Sequence, residues 1–154
     1  YNWGAGKYSR VRAIEKCCFA ASIVISLVAV AVILLFPQPI TQLFMADAGP
    51  EALAMSIGAL QLFAITYLTR WFSFATQSYL LAVEKSWQAS VISVSTALIF
   101  PVVLVGVLWP LGLTGIWLNF AGTAVLAGIL AAVLLLKLRP ELSRPDEELT
   151  PKTR

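Results

Sequence analysis

The chain has 154 residues, of which 59% are hydrophobic and 12% are charged, and its formal net charge is +3. A soluble globular domain carries about 25% charged residues, so this composition excludes an ordinary soluble domain and predicts an integral membrane protein. The basic residues lie at the ends of the apolar stretches, where membrane topology explains them, and we expect no nucleic-acid partner. The chain has no histidine, and the adjacent Cys17 and Cys18 fit neither a zinc motif nor a disulfide framework. We therefore predict no metal site.

The first 16 residues form a polar, basic segment with one acidic residue, Glu15, and four basic residues: Lys7, Arg10, Arg12 and Lys16. The positive-inside rule predicts that residues 1–16 are a cytoplasmic segment. Binding of anionic lipid headgroups is the less favoured alternative, because four positive charges are few for that role. The first residue is Tyr1 rather than Met, and we expect the chain to be the C-terminal part of a longer protein, with processing or cropping left open.

The first apolar stretch, residues 17–36, is uncharged over 20 residues and long enough to span a bilayer once. Pro37 ends it. The loop that follows, residues 37–51, contains Asp47 and Glu51 but no Lys or Arg, so we expect it to lie outside. Its apolar portion, residues 40–45, is predicted to lie along the membrane interface.

The second apolar stretch, residues 53–83, has a cation near its middle, Arg70. Polar side chains recur there at spacings of three and four, which places them on one helical face: Thr66, Thr69, Arg70, Ser73, Thr76 and Gln77. One interpretation is the wall of a water-filled substrate pathway that contains Arg70, Thr66, Ser73 and Gln77. The other is a hydrogen-bonding stripe that joins this helix to a neighbour. The sequence leaves both open.

The next 51 residues, 86–136, contain no charged residue. A single helix of that length would measure roughly 76 Å, far more than the ~30 Å hydrocarbon core, so the stretch must fold back on itself. Residues 109–113 contain Pro110 and Gly112 and can form the turn. We predict two spans, residues 87–109 and 114–136.

Two residues in these spans are candidates for the pathway. Pro101 removes one backbone hydrogen bond and frees the carbonyl of Ala97, so it could form a hinge or an ion-facing carbonyl. A locally satisfied kink is the favoured alternative. Asn119 is the strongest polar group of the last span, and an interhelical hydrogen bond is favoured over substrate contact. Small residues that repeat every four positions predict close helix packing in the same span: Ala124, Gly128 and Ala132.

Together these stretches predict an all-α, polytopic membrane protein with four transmembrane helices in residues 17–139. Residues 140–154 are charged and rich in proline, and are predicted to be a disordered cytoplasmic tail. Both ends are therefore expected in the cytoplasm. The four predicted spans contain no Asp, Glu or His, and no catalytic motif occurs in a suitable context. We expect no enzyme activity and no cofactor.

Four stretches, in this order, resemble segments of the multidrug and toxic compound extrusion (MATE) family. Residues 1–11, Y-N-W-G-A-G-K-Y-S-R-V, resemble the segment before the family's ninth helix, and Leu43-Phe44 with Asp47 resembles the loop before its tenth. Residues 77–85, Q-S-Y-L-L-A-V-E-K, resemble the segment that usually ends in a Gly-rich turn. Residues 112–117, G-L-T-G-I-W, resemble the start of the twelfth helix.

The resemblance implies helices nine to twelve of a two-lobed, twelve-helix exporter in the cell (inner) membrane. Such an exporter moves drugs or other amphiphilic organic compounds by alternating access, coupled to H⁺ or Na⁺. Its implied partners are membrane lipid, the N-terminal helices of the same transporter and a small-molecule substrate. Glu84 departs from the usual turn glycine. Arg70 aligns near a position where some members have a cation-binding carboxylate, which argues against sodium coupling there and leaves anionic or zwitterionic substrates open. The coupling site is then expected outside this chain.

Two other functions remain open at the level of sequence. One is a transporter of the same superfamily that carries a lipid-linked sugar or polysaccharide, whose pyrophosphate headgroup would suit Arg70 and the hydroxyl stripe. The other is a stand-alone four-helix membrane protein that acts as an assembly partner.

Overall fold

A computed structural model of the chain describes residues 1–45 and 49–146. Within these ranges every regular element is helical, which confirms the predicted all-α fold class. The predicted roles of Asp47 and of residues 147–154 lie outside the described residues. The elements are α1 (Tyr8–Leu35), α2 (Pro37–Phe44), α3 (Pro50–Ala82), α4 (Ser86–Val94), a π-helical turn (Ser95–Ile99), α5 (Phe100–Leu108), a 3₁₀ turn (Trp109–Leu111) and α6 (Gly112–Leu142).

Three continuous helical stretches are long and apolar enough to cross a membrane: Tyr8–Leu35, Pro50–Ala82 and Ser86–Leu142. The third folds back on itself, because α5 packs antiparallel against α6. The chain is therefore a multi-pass membrane protein whose four long helical segments are α1, α3, α4–α5 and α6. The short helix α2 follows α1 after Phe36 and packs against α3.

The reversal between α5 and α6 depends on two glycines. Gly112 has φ +57°, a left-handed conformation that glycine adopts without strain. Gly115 lies so close to the end of α5 that a Cβ atom there would be 2.3 Å from the carbonyl oxygen of Leu108. These positions explain why the chain can turn within a few residues after Trp109-Pro110.

Pro101 lies two residues after the end of a π-helical turn, whose C-cap residue Phe100 donates its amide to the carbonyl of Ser95. This turn shifts the hydrogen-bonding register just where proline lacks an N–H group. The Asn119 side-chain amide of α6 donates to the carbonyl oxygen of Pro101 at 3.0 Å, and the Thr123 hydroxyl donates to Asn119 Oδ1 at 3.1 Å. A buried polar link thus connects α5 and α6 in mid-helix.

Helix α3 is the centre of the fold, since it packs against α1, α2, α4 and α6. One core cluster joins Leu80 of α3 with Ala89 and Ile92 of α4 and Ala131 of α6. Helix α6 presents further small, fully buried side chains to its neighbours, including Ala124 and Ala127. Small residues let membrane helices approach closely, which accounts for this contact.

The start of α1 and the residues around the end of α6 meet at one end of the bundle, which we call the terminal end. Lys85 forms an ion pair with Glu141, the Arg12 guanidinium donates to the carbonyl of Arg144 at 2.8 Å, and the Ser9 amide donates to Asp146 Oδ1 at 2.6 Å. These three contacts connect the start of α1, the α3–α4 loop and the segment after α6.

Two helix boundaries differ from those expected from the sequence. Helix α1 begins at Tyr8, inside the predicted basic segment, and α6 continues to Leu142, inside the predicted tail. The charges at Lys137 and Arg139 mark the end of the apolar stretch but not of the helix. The helix continues because Leu142 is buried in a second core cluster. Its partners there are Tyr79 of α3 and Val83, the C-cap residue of α3.

Candidate functional site

A cleft of about 950 Å³ runs along the contact between α1 and α3 and is open on one side. Its α1 wall consists of residues at helical spacing, among them Val11, Glu15, Phe19 and Ser22. A second helical face, on α3, forms the opposite wall and carries Arg70. The volume lies at the upper end of the range of about 300–1,000 Å³ typical of small-molecule sites. We call this feature the α1–α3 cleft.

Arg70 is the cation of the cleft. It lies 12 residues before Ala82, about 18 Å from the end of α3, and is therefore well inside the apolar stretch. Its guanidinium carbon is 5.2 Å from the centroid of the Phe74 ring, within the distance of a cation–π contact. Among the described residues Arg70 has no ion pair. The cleft therefore contains a positive charge that the described residues do not neutralise.

Glu15 lies at the other end of the cleft, next to Tyr79 of α3. The Tyr79 hydroxyl is buried near this carboxylate but does not reach hydrogen-bonding geometry. Arg12 and Lys16, one turn before and one residue after Glu15, interact with the same carboxylate. Tyr79 is nine residues from Arg70, so the Glu15 carboxylate beside Tyr79 and the Arg70 guanidinium are roughly 14 Å apart along α3.

Aromatic rings line the walls of the cleft on both sides of Arg70. Phe19 of α1 contacts Trp71 of α3 edge to face, with ring centroids 6.2 Å apart. Phe63 pairs with Tyr67 at 5.8 Å and with Phe120 of α6 at 5.4 Å. Edge-to-face pairs of this kind are favourable and hold the rings in fixed orientations. The cleft can therefore accept an apolar or aromatic body beside a charged group.

The hydroxyl stripe of α3 does not share this cleft with Arg70. Thr66, Ser73 and Thr76 are at most 3% exposed and are absent from the cleft lining. The Thr66 hydroxyl donates to the carbonyl of Phe63 at 2.6 Å, and the Ser73 hydroxyl donates to the carbonyl of Arg70 at 2.9 Å. The hydroxyl of Thr76 is buried without a hydrogen-bond partner. These side chains lie within the helix packing of the bundle.

The remaining predicted pathway residues also lie elsewhere. Gln77 is partly buried and does not line the cleft. Pro101 and Asn119 are joined by the hydrogen bond between α5 and α6. Of the six candidates, the structure places only Arg70 in the α1–α3 cleft.

Sequence reasoning did not single out several residues that line the cleft. Glu15 and Phe19 are one turn apart on α1, and Tyr67, Trp71 and Phe74 recur at spacings of three and four on α3. The signal was present as helical periodicity, but aromatic residues on an apolar membrane helix usually face lipid or other helices. Only the pairing of α1 with α3 places the two faces together.

The described residues contain no group of three or more His, Cys, Asp or Glu side chains that could hold a metal ion. Glu15 is the one carboxylate that lines the α1–α3 cleft in the described part of the chain. The charged side chains that line the described part of the cleft are thus one guanidinium and one carboxylate, roughly 14 Å apart along α3.

Comparison with known protein families gives one result that bears on this architecture. The family model MatE matches residues 1–106, which is more than half of the chain, and the chain belongs to this family of membrane transporters. The match covers α1 to α5 and the whole α1–α3 cleft apart from Phe120, whereas the G-L-T-G-I-W segment lies beyond it. Searches of curated proteins and of solved structures find no match.

Proposed function

We propose that this chain is part of a cation-coupled antiporter that exports amphiphilic organic compounds by alternating access. Membership of the MatE family supports transport across a membrane. The observation that carries the finer assignment is the α1–α3 cleft, which combines aromatic walls with an unpaired cation within the apolar part of α3. A bilayer-facing helix disfavours such a cation, whereas the wall of a substrate pathway requires polar groups.

In this proposal the chain supplies helices nine to twelve, and the rest of the pathway comes from helices that precede it. Half of a pathway encloses nothing, so we expect the 154 residues alone to bind but not to transport. The coupling ion is H⁺ or Na⁺, and its site lies in the preceding helices. The sequence supports this placement because the four predicted spans contain no Asp, Glu or His.

The proposed orientation places the terminal end of the bundle in the cytoplasm and the protein in the cell (inner) membrane. Positive charge supports this orientation, because Lys7, Arg10, Arg12 and Lys85 lie at or near that end. The described part of the loop between α1 and α3 carries no basic residue. Membrane lipid is then the partner of the outward apolar faces of α1 and α5.

The simplest test is to translate the genomic region upstream of Tyr1. We expect an uninterrupted reading frame that encodes about eight further spans and at least one carboxylate within a span. Expression of the complete gene in a pump-deficient host should then lower the accumulation of ethidium or a fluoroquinolone. A start codon directly before Tyr1, or a complete protein without efflux activity, contradicts the proposal.

A second candidate, a transporter of a lipid-linked sugar, is favoured by one observation. Arg70 has no acidic partner among the described residues, and a pyrophosphate headgroup could supply one. Accumulation of undecaprenyl-linked sugar on the cytoplasmic leaflet after deletion of the gene, with unchanged drug sensitivity, would favour this alternative over the exporter.

A further inference from the structure

We propose that the α1–α3 cleft binds water-soluble amphiphilic organic anions rather than lipid headgroups, with Arg70 contacting the acidic group and the aromatic walls contacting the apolar body. The inference rests on the proposed function, because it names the substrate class of the same site. It assigns to Arg70 the role of selecting the sign of the ligand's charge.

The Arg70 side chain contacts the face of Phe74, and no carboxylate in the described residues forms an ion pair with it. The one ion pair there joins Lys85 and Glu141 at the terminal end of the bundle. A guanidinium within the apolar part of a membrane helix favours an anionic partner, since a charge-assisted hydrogen bond to an anion is stronger than one to a neutral group.

Three carboxylates of the chain lie far from Arg70 along the helix axis. Glu51 and Glu84 are 19 and 14 residues from Arg70, which correspond to roughly 28 Å and 21 Å along the helix axis. Glu15 is roughly 14 Å away by the same measure and already interacts with Arg12 and Lys16. Among the described residues no carboxylate pairs with Arg70, which leaves its charge available to an acidic ligand.

The aromatic side chains of the cleft suit the apolar part of such a ligand. Phe74, Tyr67 and Trp71 line the cleft on the same helix as Arg70, and Phe19 faces them from α1. An aromatic acid can place its ring among these side chains while a carboxylate, sulfonate or phosphate oxygen accepts hydrogen bonds from the guanidinium. A cation of the same size would meet Arg70 as a like charge.

The test uses the full 154-residue chain in nanodiscs of neutral phosphatidylcholine and two probes with the same ring, 2-naphthalenesulfonate and 2-naphthylmethylammonium. Binding to empty discs is subtracted. We expect the sulfonate to bind and Arg70→Gln to weaken it by about tenfold, the loss of one charge-assisted contact. Arg70→Lys should retain most of the affinity, because it keeps the charge.

Arg10→Gln is the matched control, since Arg10 is exposed and does not line the cleft. It removes the same charge and should leave sulfonate binding unchanged. Circular dichroism verifies that each variant keeps its helix content. Equal affinity of wild type and Arg70→Gln for the sulfonate overturns the inference, as does wild-type binding of the ammonium probe as tightly as the sulfonate.

Phosphatidylglycerol distinguishes a soluble anion from a lipid headgroup. If discs that contain this lipid abolish sulfonate binding to the wild-type chain, the cleft takes a lipid phosphate and the inference is overturned. Failure of the inference also differs from failure of the proposed function. If the complete transporter exports only cations, the proposed function holds and the inference about anions is wrong. If sulfonate binding depends on Arg70 but the complete protein has no efflux activity, the inference holds and the proposed function is wrong.

Discussion

The two sides of α3 solve the problem of polar groups in a membrane in opposite ways. On the packed side, the hydroxyls of Thr66 and Ser73 donate to carbonyls of their own helix and are almost fully buried. On the cleft side, Arg70 contacts the Phe74 ring, has no ion pair among the described residues and lines the open cleft. Arg70 and Ser73 are three residues apart, which is about 60° around the helix.

The difference shows which polar groups are available for a ligand. A hydroxyl that donates to a carbonyl three residues earlier is satisfied within its own helix and needs no further partner. A guanidinium has five N–H donors and no such local solution. A polar stripe at helical spacing therefore contains two kinds of side chain. Those that hydrogen-bond within their own helix are structural, and the one available to a ligand is the one whose donors the helix cannot satisfy.

The largest expected contrast is in access to water. In a chain where the exposed Cys17 and Cys18 are replaced by Ser, Ser78→Cys on the cleft side should react with a membrane-impermeant maleimide. Ser73→Cys should stay unmodified, because Ser73 is 3% exposed. Mass spectrometry of the labelled chain measures both. Equal labelling of the two positions would abolish the distinction between the sides and favour a water-filled pathway along the hydroxyl stripe.

The packed side should be sensitive to side-chain volume. Ala127 of α6 is fully buried, and Ala127→Leu should lower the free energy of unfolding by about 3 kcal/mol, since the contact has no space for three more carbon atoms. Val125→Leu, on an exposed position of the same helix, is the matched control and should have almost no effect. Denaturant titration of the chain in detergent, followed by circular dichroism, measures the difference. Equal effects at both positions would show that α6 does not pack closely there.

Two identical substitutions separate satisfied from unsatisfied hydroxyls within the packed side. Thr76→Val removes a buried hydroxyl that has no partner and should raise the free energy of unfolding by about 1 kcal/mol. Thr66→Val removes the bond to the carbonyl of Phe63 and should lower it by about 0.6 kcal/mol. The same titrations apply. A loss of stability in Thr76→Val would indicate that its hydroxyl has a partner in the membrane.

Much of the fold was predictable because the thickness of the bilayer fixes the length of a membrane-spanning helix. The uncharged stretch of residues 86–136 is too long for one crossing, and the structure turns at residues 109–112, within the predicted segment. The ends of the helices were less predictable, because charges such as Lys137 mark the end of an apolar span, whereas tertiary contacts of Leu142 decide where the helix stops.

The site was predictable only in part, for a geometric reason. Periodicity places Arg70 and the hydroxyls on one broad face of α3, but it does not reveal which neighbouring helix each residue meets. Helix α6 packs closely against α3, whereas the contact between α1 and α3 leaves a gap beside Arg70. The contacts between sequence-distant helices decided this division, and no local pattern encodes them.

The smallest expected effect is at the terminal end, where Asp146 accepts hydrogen bonds from the Ser9 hydroxyl and amide at the start of α1. The Ser9 hydroxyl, then the Ser9 amide, hold the pKa of Asp146 below its ordinary value of 3.8, because they stabilise the carboxylate. A group whose pKa is lowered by folding stabilises the contact above its ordinary pKa and loses that contribution as the pH falls through the lowered value. Hydrogen exchange of the Ser9 amide should therefore be protected at neutral pH and lose protection in acid, below about pH 4. Asp146→Asn should remove most of this protection at neutral pH, whereas Glu141→Gln, which removes the same charge five residues earlier, should retain it. If both variants protect Ser9 equally, Asp146 does not hold the start of α1 to the segment after α6.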